Sequence, residues 1–67
     1  MRKFAERLKE LRTDRSLSIA ALGKELEIGV ASIFRWENNQ SDVKSDQLVT
    51  IARFFDVTTD YLLGLED

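Results

Sequence analysis

The sequence predicts an all-α chain, a compact bundle of five short helices. Three observations predict it. The 67 residues include no proline and only three glycines, so little interrupts a helix. Apolar residues recur at three- and four-residue steps along five stretches, the spacing of a helix with one buried side. Short polar segments rich in Ser, Thr, Asn and Gly separate those stretches, and these residues stop and cap helices. Without a repeat, a low-complexity tract or a linker, residues 1–67 read as one domain.

The first helix is expected over about residues 2–14, with Phe4, Leu8 and Leu11 on its buried side and Ala5 beside them. Arg2, Glu6 and Glu10 sit four apart along its outer side and read as a solvated charged face. Ser18 is placed to cap a second helix, because its hydroxyl can accept from an amide one turn on. Leu22 and Leu26 follow at the four-residue step, and Ala21 and Gly23 are small enough to let another element come close. Glu27-Ile28-Gly29 makes a tight turn, in which Gly29 either takes a positive φ or caps the next helix.

The third helix spans about 30–37, with Val30, Ile33 and Trp36 at three-residue steps. Asn38, Asn39 and Gln40 end it, Asn being tolerant of the left-handed conformation at a helix terminus. Ser45 is the expected cap of the fourth helix, with Asp46 in its first turn and Leu48, Ile51, Ala52 and Phe55 inside. Val57 enters a turn, Thr58 or Thr59 caps the fifth helix, and Gly64 ends it. Tyr61, Leu62 and Leu65 are expected to close the core.

Composition excludes several functions. With no cysteine and no histidine, the common zinc ligands, disulfides and nucleophile–base pairs are missing. The carboxylates read mostly as helix-surface charges and no glycine-rich phosphate loop is present, so an enzyme is not expected, and neither is a cofactor or a metal. The apolar runs are too short for a membrane span and the first residues lack a signal-peptide pattern. These features predict a soluble, cytoplasmic protein. A chain of 67 residues leaves no space for a separate sensing domain, so a small-molecule ligand is not expected.

The net charge of −2 is unevenly distributed. Residues 1–17 hold six basic groups against three acidic ones, a net of +3. Residues 18–45 come to −1, with Lys24, Arg35 and Lys44 against four acids, and residues 46–67 come to −4. The acidic last third is unsuited to facing phosphates.

The second and third helices carry the functional signal. Two short helices joined by a roughly three-residue turn with a Gly match the helix-turn-helix plan, in which the second helix enters the major groove. The rest of the chain makes the likeness specific. "FAERLKELR" in the first helix, "LS" before the second, Leu22, Leu26 and Ile28, "SIFRWEN" through the third, and "LVTIARFFDVTTDYLLG" to the end stand at matching spacing. With these motifs the sequence resembles the phage-repressor type of helix-turn-helix, the Cro/repressor or XRE family, over essentially its whole length. The resemblance implies a lambda-repressor-like five-helix domain that binds double-stranded operator DNA as a homodimer and regulates transcription.

The resemblance also implies roles for single residues. Ser18, Ile19, Val30, Ala31, Ser32, Phe34, Arg35, Asn38, Gln40 and Lys44 stand at positions near DNA. Arg12 and Glu37 match a largely buried ion pair between the first helix and the end of the third. The residue types agree in part. Arg35 has a fork suited to guanine or a phosphate oxygen, and Ser18, Asn38, Gln40 and Lys44 can reach a phosphate backbone. Ser18 serves equally as a cap, Asn38 as a helix stop and Lys44 as a solvated charge. Glu37 follows Trp36 and needs a partner wherever it is covered, which makes it structural.

The chain departs from the family pattern at several positions. Ile19 stands where the family usually has Gln, Glu27 and Asn39 where Gly is common, and Asp42 and Val43 where basic residues and Pro are common. Fewer phosphate partners remain, and a single copy should bind DNA weakly. The third helix is unusual too, since Val30, Ala31 and Phe34 donate no side-chain hydrogen bond. An alternative function follows from that apolar surface, a protein-interaction module of antitoxin or anti-repressor type.

Overall fold

In the computed structural model, which describes residues 1–66, five helices pack into a body of 28 × 23 × 20 Å. They are α1 (Arg2–Asp14), α2 (Ile19–Leu26), α3 (Val30–Glu37), α4 (Ser45–Phe55) and α5 (Thr59–Leu63). The predicted spans hold along the described chain because each helix buries one apolar stripe. α1 packs on α3 and α5, α2 on α3 and α4, and α4 on α5.

The core is one cluster. Phe4 and Leu8 of α1, Leu22 and Leu26 of α2, Ile33 and Trp36 of α3, Leu48, Ile51, Ala52 and Phe55 of α4, and Leu62 of α5 are all buried. Phe4 meets Trp36 edge to face, with ring centroids 6.1 Å apart, the arrangement favoured by the ring quadrupoles. Leu11 is only half-buried, at the margin of the cluster.

The helix ends show which local signals worked. The Ser18 side chain accepts from the Ala21 amide at 3.0 Å, capping α2. Thr58, of the two threonine candidates, caps α5 by accepting from the Tyr61 amide at 3.0 Å. Its hydroxyl also donates to the Glu66 carboxylate. Gly29 caps α3 in an extended conformation, φ −60 and ψ 140, so of its two expected uses it takes the second.

Two expectations are corrected. The cap of α4 is Lys44, and Ser45 is already the first helical residue. Ammonium groups cannot accept an amide hydrogen, so the start is held from the other side: the Gln47 side chain accepts from the Lys44 amide at 3.3 Å. Asp46 takes the Gln47 amide at 2.9 Å, leaving no need for a serine cap. The second correction is Leu65, which is 72% exposed. Gly64 takes φ 80 and ends α5, turning the chain away before Leu65 can reach the core.

Two arginines of α1 and its following turn tie the C-terminal helices down. Arg7 lies over the Tyr61 ring at 4.3 Å and donates to the carbonyls of Tyr61 and Glu66. Arg15 lies beside Phe54 and Phe55 and donates to the Phe54 carbonyl at 3.1 Å. Both cations sit at helix C-termini, where carbonyls lack helical partners and the dipole favours positive charge.

Candidate nucleic-acid interface

The unit of interest is α2, its turn and α3. The turn is tight because α2 ends in a left-handed residue, Glu27 at φ 56 and ψ 41. This conformation lets the Ile28 amide reach the Gly23 carbonyl at 3.0 Å. Gly23 lies so close under the turn that a Cβ there would stand 2.8 Å from the Ile28 carbonyl oxygen. The small residue anticipated in α2 therefore admits the turn's own backbone, and it sets the angle at which α3 leaves.

α3 has two unlike sides. Ile33 and Trp36 are buried. On the other side Val30 is 48% exposed and Phe34 43%, with Ala31 and Arg35 exposed between and beside them. At about 100° per residue, Val30, Phe34, Ala31 and Arg35 fall within roughly 140° of arc, facing away from Ile33 and Trp36. Ser32 lies at the edge of this face, half-buried.

The end of α3 is fixed by an ion pair. Arg12 Nε donates to Glu37 Oε2 at 2.6 Å and Arg12 Nη2 to Oε1 at 2.9 Å. The third prong, Nη1, donates to the Leu17 carbonyl at 2.7 Å in the loop before α2. One guanidinium thus joins α1, the α1–α2 loop and α3. The hydrogen bond to Glu37 raises the Arg12 pKa, with burial opposing and the opposite charge assisting.

The remaining anticipated residues lie at the start of α2 and after the end of α3. Ser18 is exposed at the start of α2, while its hydroxyl is engaged as a cap. Ile19 is half-buried and packed on the core, so it offers the least accessible surface of the set. Asn38, Gln40 and Lys44 are exposed after α3. The Asn38 amide donates to the Phe34 carbonyl at 2.8 Å, which ends the helix and occupies one donor. Asn39, at φ 57, is the left-handed residue of the pair of asparagines.

The loop between α3 and α4 has an anchor that the sequence did not reveal. The N-terminal ammonium of Met1 donates to Asn39 Oδ1 at 2.9 Å and lies 3.4 Å from Asp42 Oδ1. No local pattern signals a contact between residues this far apart in the chain. The Lys44–Gln47 contact has only the Gln half of a capping box, since Lys44 is not a capping residue type, and the sequence does not signal it either.

The sequence matches those of known proteins. The helix-turn-helix family profile matches residues 8–62, which takes in most of α1, the whole α2–turn–α3 unit, α4 and most of α5. The chain belongs to the XRE-type helix-turn-helix family.

Its relatives within that family are regulators by description. An uncharacterized HTH-type transcriptional regulator of Bacillus subtilis, YobD, is 34% identical over 64 residues, 96% of this chain and 57% of that protein. The HTH-type transcriptional activator BcrR of Enterococcus faecalis is 34% identical over 65 residues, 97% of this chain and 32% of that protein. The HTH-type transcriptional regulator ImmR of Bacillus subtilis is 31% identical over 64 residues, 96% and 50% of the two. This helix-turn-helix chain therefore spans between a third and somewhat over half of the curated relatives it matches. Among its described residues no helix is long and apolar enough to cross a membrane.

Proposed function

We propose that the chain is a sequence-specific DNA-binding transcriptional regulator that lays α3 in the major groove. The observation that carries this reading is the two-sided α3. Its outer face presents Val30, Ala31, Phe34 and Arg35, while Ile33, Trp36 and the Arg12–Glu37 pair brace it from behind. Family membership supports this reading, because in helix-turn-helix domains the N-terminal residues of the second helix meet base edges. Arg35 reads a base edge or a phosphate; Ser18, Asn38, Gln40 and Lys44 position the domain on the backbone. The start of α2 adds helix-terminal amides for a phosphate.

A homodimer on a palindromic operator is part of the proposal, with two α3 helices about 34 Å apart. α5 and its flank offer the surface for it: Tyr61 and Leu63 are half-buried and Leu65 projects into solvent. Repression is the expected outcome, because occupancy of an operator alone suffices to exclude other proteins.

The test is enrichment of a random duplex pool at low salt, followed by band shifts with the winning site. Enrichment of an inverted repeat, with binding lost in Arg35→Ala, is expected. A pool that yields no motif at low salt would sink the reading. A protein-interaction module is the second reading, favoured by the solvent exposure of apolar Val30 and Phe34. Under it, Arg35→Ala leaves partner capture intact and no duplex competes.

A further inference from the structure

We infer that this domain selects its site chiefly by the 5-methyl groups of thymine, through a pocketless apolar contact formed by Val30, Ala31 and Phe34. The inference rests on the DNA-binding reading and specifies which chemistry of the base edge is read.

The argument starts from what the outer face of α3 offers. Of its four residues, three present only carbon: Val30, Ala31 and Phe34. Arg35 is the one side chain of that face able to donate to a base. The polar neighbours lie off this face. Ser32 is half-buried at its edge, Asn38 gives one of its two amide hydrogens to the Phe34 carbonyl, Ser18 accepts from the Ala21 amide at the start of α2, and Gln40 follows the end of α3, so their remaining donors serve the phosphate backbone. Glu37 is committed to Arg12.

Base edges in the major groove show donors, acceptors and one apolar group, the thymine methyl. A face of three carbon side chains and one guanidinium matches a methyl-bearing pyrimidine beside a guanine. Any other base placed under Phe34 or Val30 leaves its polar edge desolvated without a partner, which costs binding. Exposed surface of this type on a small domain is otherwise unfavourable, and here it lies on the side of α3 turned away from the core.

The position of Val30 adds a second constraint. It is the first residue of α3, directly after a glycine whose Cβ position is open. The backbone at Gly29 can therefore approach a groove wall without a side chain holding it off. Phe34 follows one turn later on the same side. The two span about one helical turn, roughly 5.4 Å, which suits methyl groups on neighbouring steps of one half-site.

The experiment substitutes deoxyuridine for thymidine, one position at a time, in the duplex enriched from the random pool. Each exchange removes a single methyl and leaves the Watson–Crick pair intact. Within the α3 footprint, loss of a contacted methyl weakens binding about fourfold, and about sixteenfold when both half-sites of a palindrome are changed. Thymines flanking the footprint show no loss. Phe34→Ala, an exposed position whose fold is checked by thermal melting, binds more weakly and no longer distinguishes thymidine from deoxyuridine at one position.

Three results would overturn the inference. If full replacement by deoxyuridine leaves affinity unchanged while Arg35→Ala abolishes binding, the domain reads DNA without methyl contacts. If the deoxyuridine penalty persists undiminished in Phe34→Ala and in Val30→Ala, the methyl acts through duplex shape. If no motif is enriched at all, the inference falls together with the proposed function.

Discussion

Arg12 and Glu37 meet fork to fork, at 2.6 and 2.9 Å, across a sequence separation of 25 residues. Their side chains are 12% and 3% exposed. The pair fastens the last turn of α3 to α1 and, through the Leu17 carbonyl, to the entrance of α2. A buried pair of this kind is costly to break on one side, because the remaining charge keeps its desolvation without its partner.

Glu37→Ala is therefore expected to lower stability by about 3–5 kcal/mol. In a domain of this size each kcal/mol moves Tm by about 4–8 °C, so the loss is readily measured by thermal or urea unfolding. The double change Arg12→Met with Glu37→Leu recovers most of it, since no charge is then left buried. The pH dependence has a definite sign. The folded-state pKa of Arg12 is raised, so its contribution is fully present below the ordinary arginine value and is lost only as pH climbs through the higher one, in strong alkali. Arg12 titration adds no slope to stability near neutral pH.

The glycines on either side of the turn between α2 and α3 should answer mutation in opposite ways. Gly23→Ala puts a Cβ 2.8 Å from the Ile28 carbonyl oxygen, a backbone atom with little freedom to yield. Overpacking of this kind costs about 1–3 kcal/mol. The displaced turn should also weaken DNA binding, because it sets the exit of α3. Nothing lies within 4 Å of a Cβ at Gly29, and its φ of −60 suits any residue. Gly29→Ser supplies a cap hydroxyl and stiffens the unfolded chain, for a gain of about 0.5–1 kcal/mol. Urea midpoints of the two variants moving in the same direction would contradict this.

Glu27 sits in the left-handed region at φ 56, as Asp56 does at the end of α4. A side chain there costs about 1 kcal/mol or somewhat more, which glycine avoids. Glu27→Gly and Asp56→Gly should each stabilise by about that amount. Only the first should also tighten DNA binding, because it removes an exposed negative charge from the turn between α2 and α3. Equal affinity gains in the two variants would indicate a general charge effect with no bearing on where the duplex lies.

How much of this could be read from the residues themselves follows from what is local. The helices were legible because apolar spacing and cap chemistry act within a turn or two: Leu22 and Leu26 behind Ser18, Ile33 and Trp36 behind Gly29. Leu65 was misplaced because its apolar character argued for burial, while Gly64 redirects the backbone first. Ser45 was misplaced because the best capping residue type stood one position inside a helix whose start is held by Gln47 and Asp46. The Met1–Asn39, Arg7–Tyr61 and Arg15–Phe54 contacts join residues remote in sequence, and no periodicity encodes them. On α3 the residue types identified the exposed face, but its accessibility required the packing of Trp36 and Ile33 to be known.

Salt dependence gives the last prediction. Binding of DNA releases one condensed counterion for each phosphate neutralised, with a slope of about −0.9 per contact in log affinity against log salt. Arg35 and Lys44 are the exposed cations among the candidate contacts of each copy. Two copies on a palindrome then bring four cations to the duplex, two Lys44 at phosphates and two Arg35 at base edges or phosphates, and give a slope of about −2 to −4. Lys44→Gln should flatten it by about 2 and weaken all sequences alike, because a phosphate contact positions the protein without reading bases. Arg35→Gln should change which bases are preferred as well. A measured slope of −8 or steeper would mean that cations of α1, such as Lys9 or Arg2, also reach the duplex, and that the domain lies on DNA in an orientation other than the one α3 suggests.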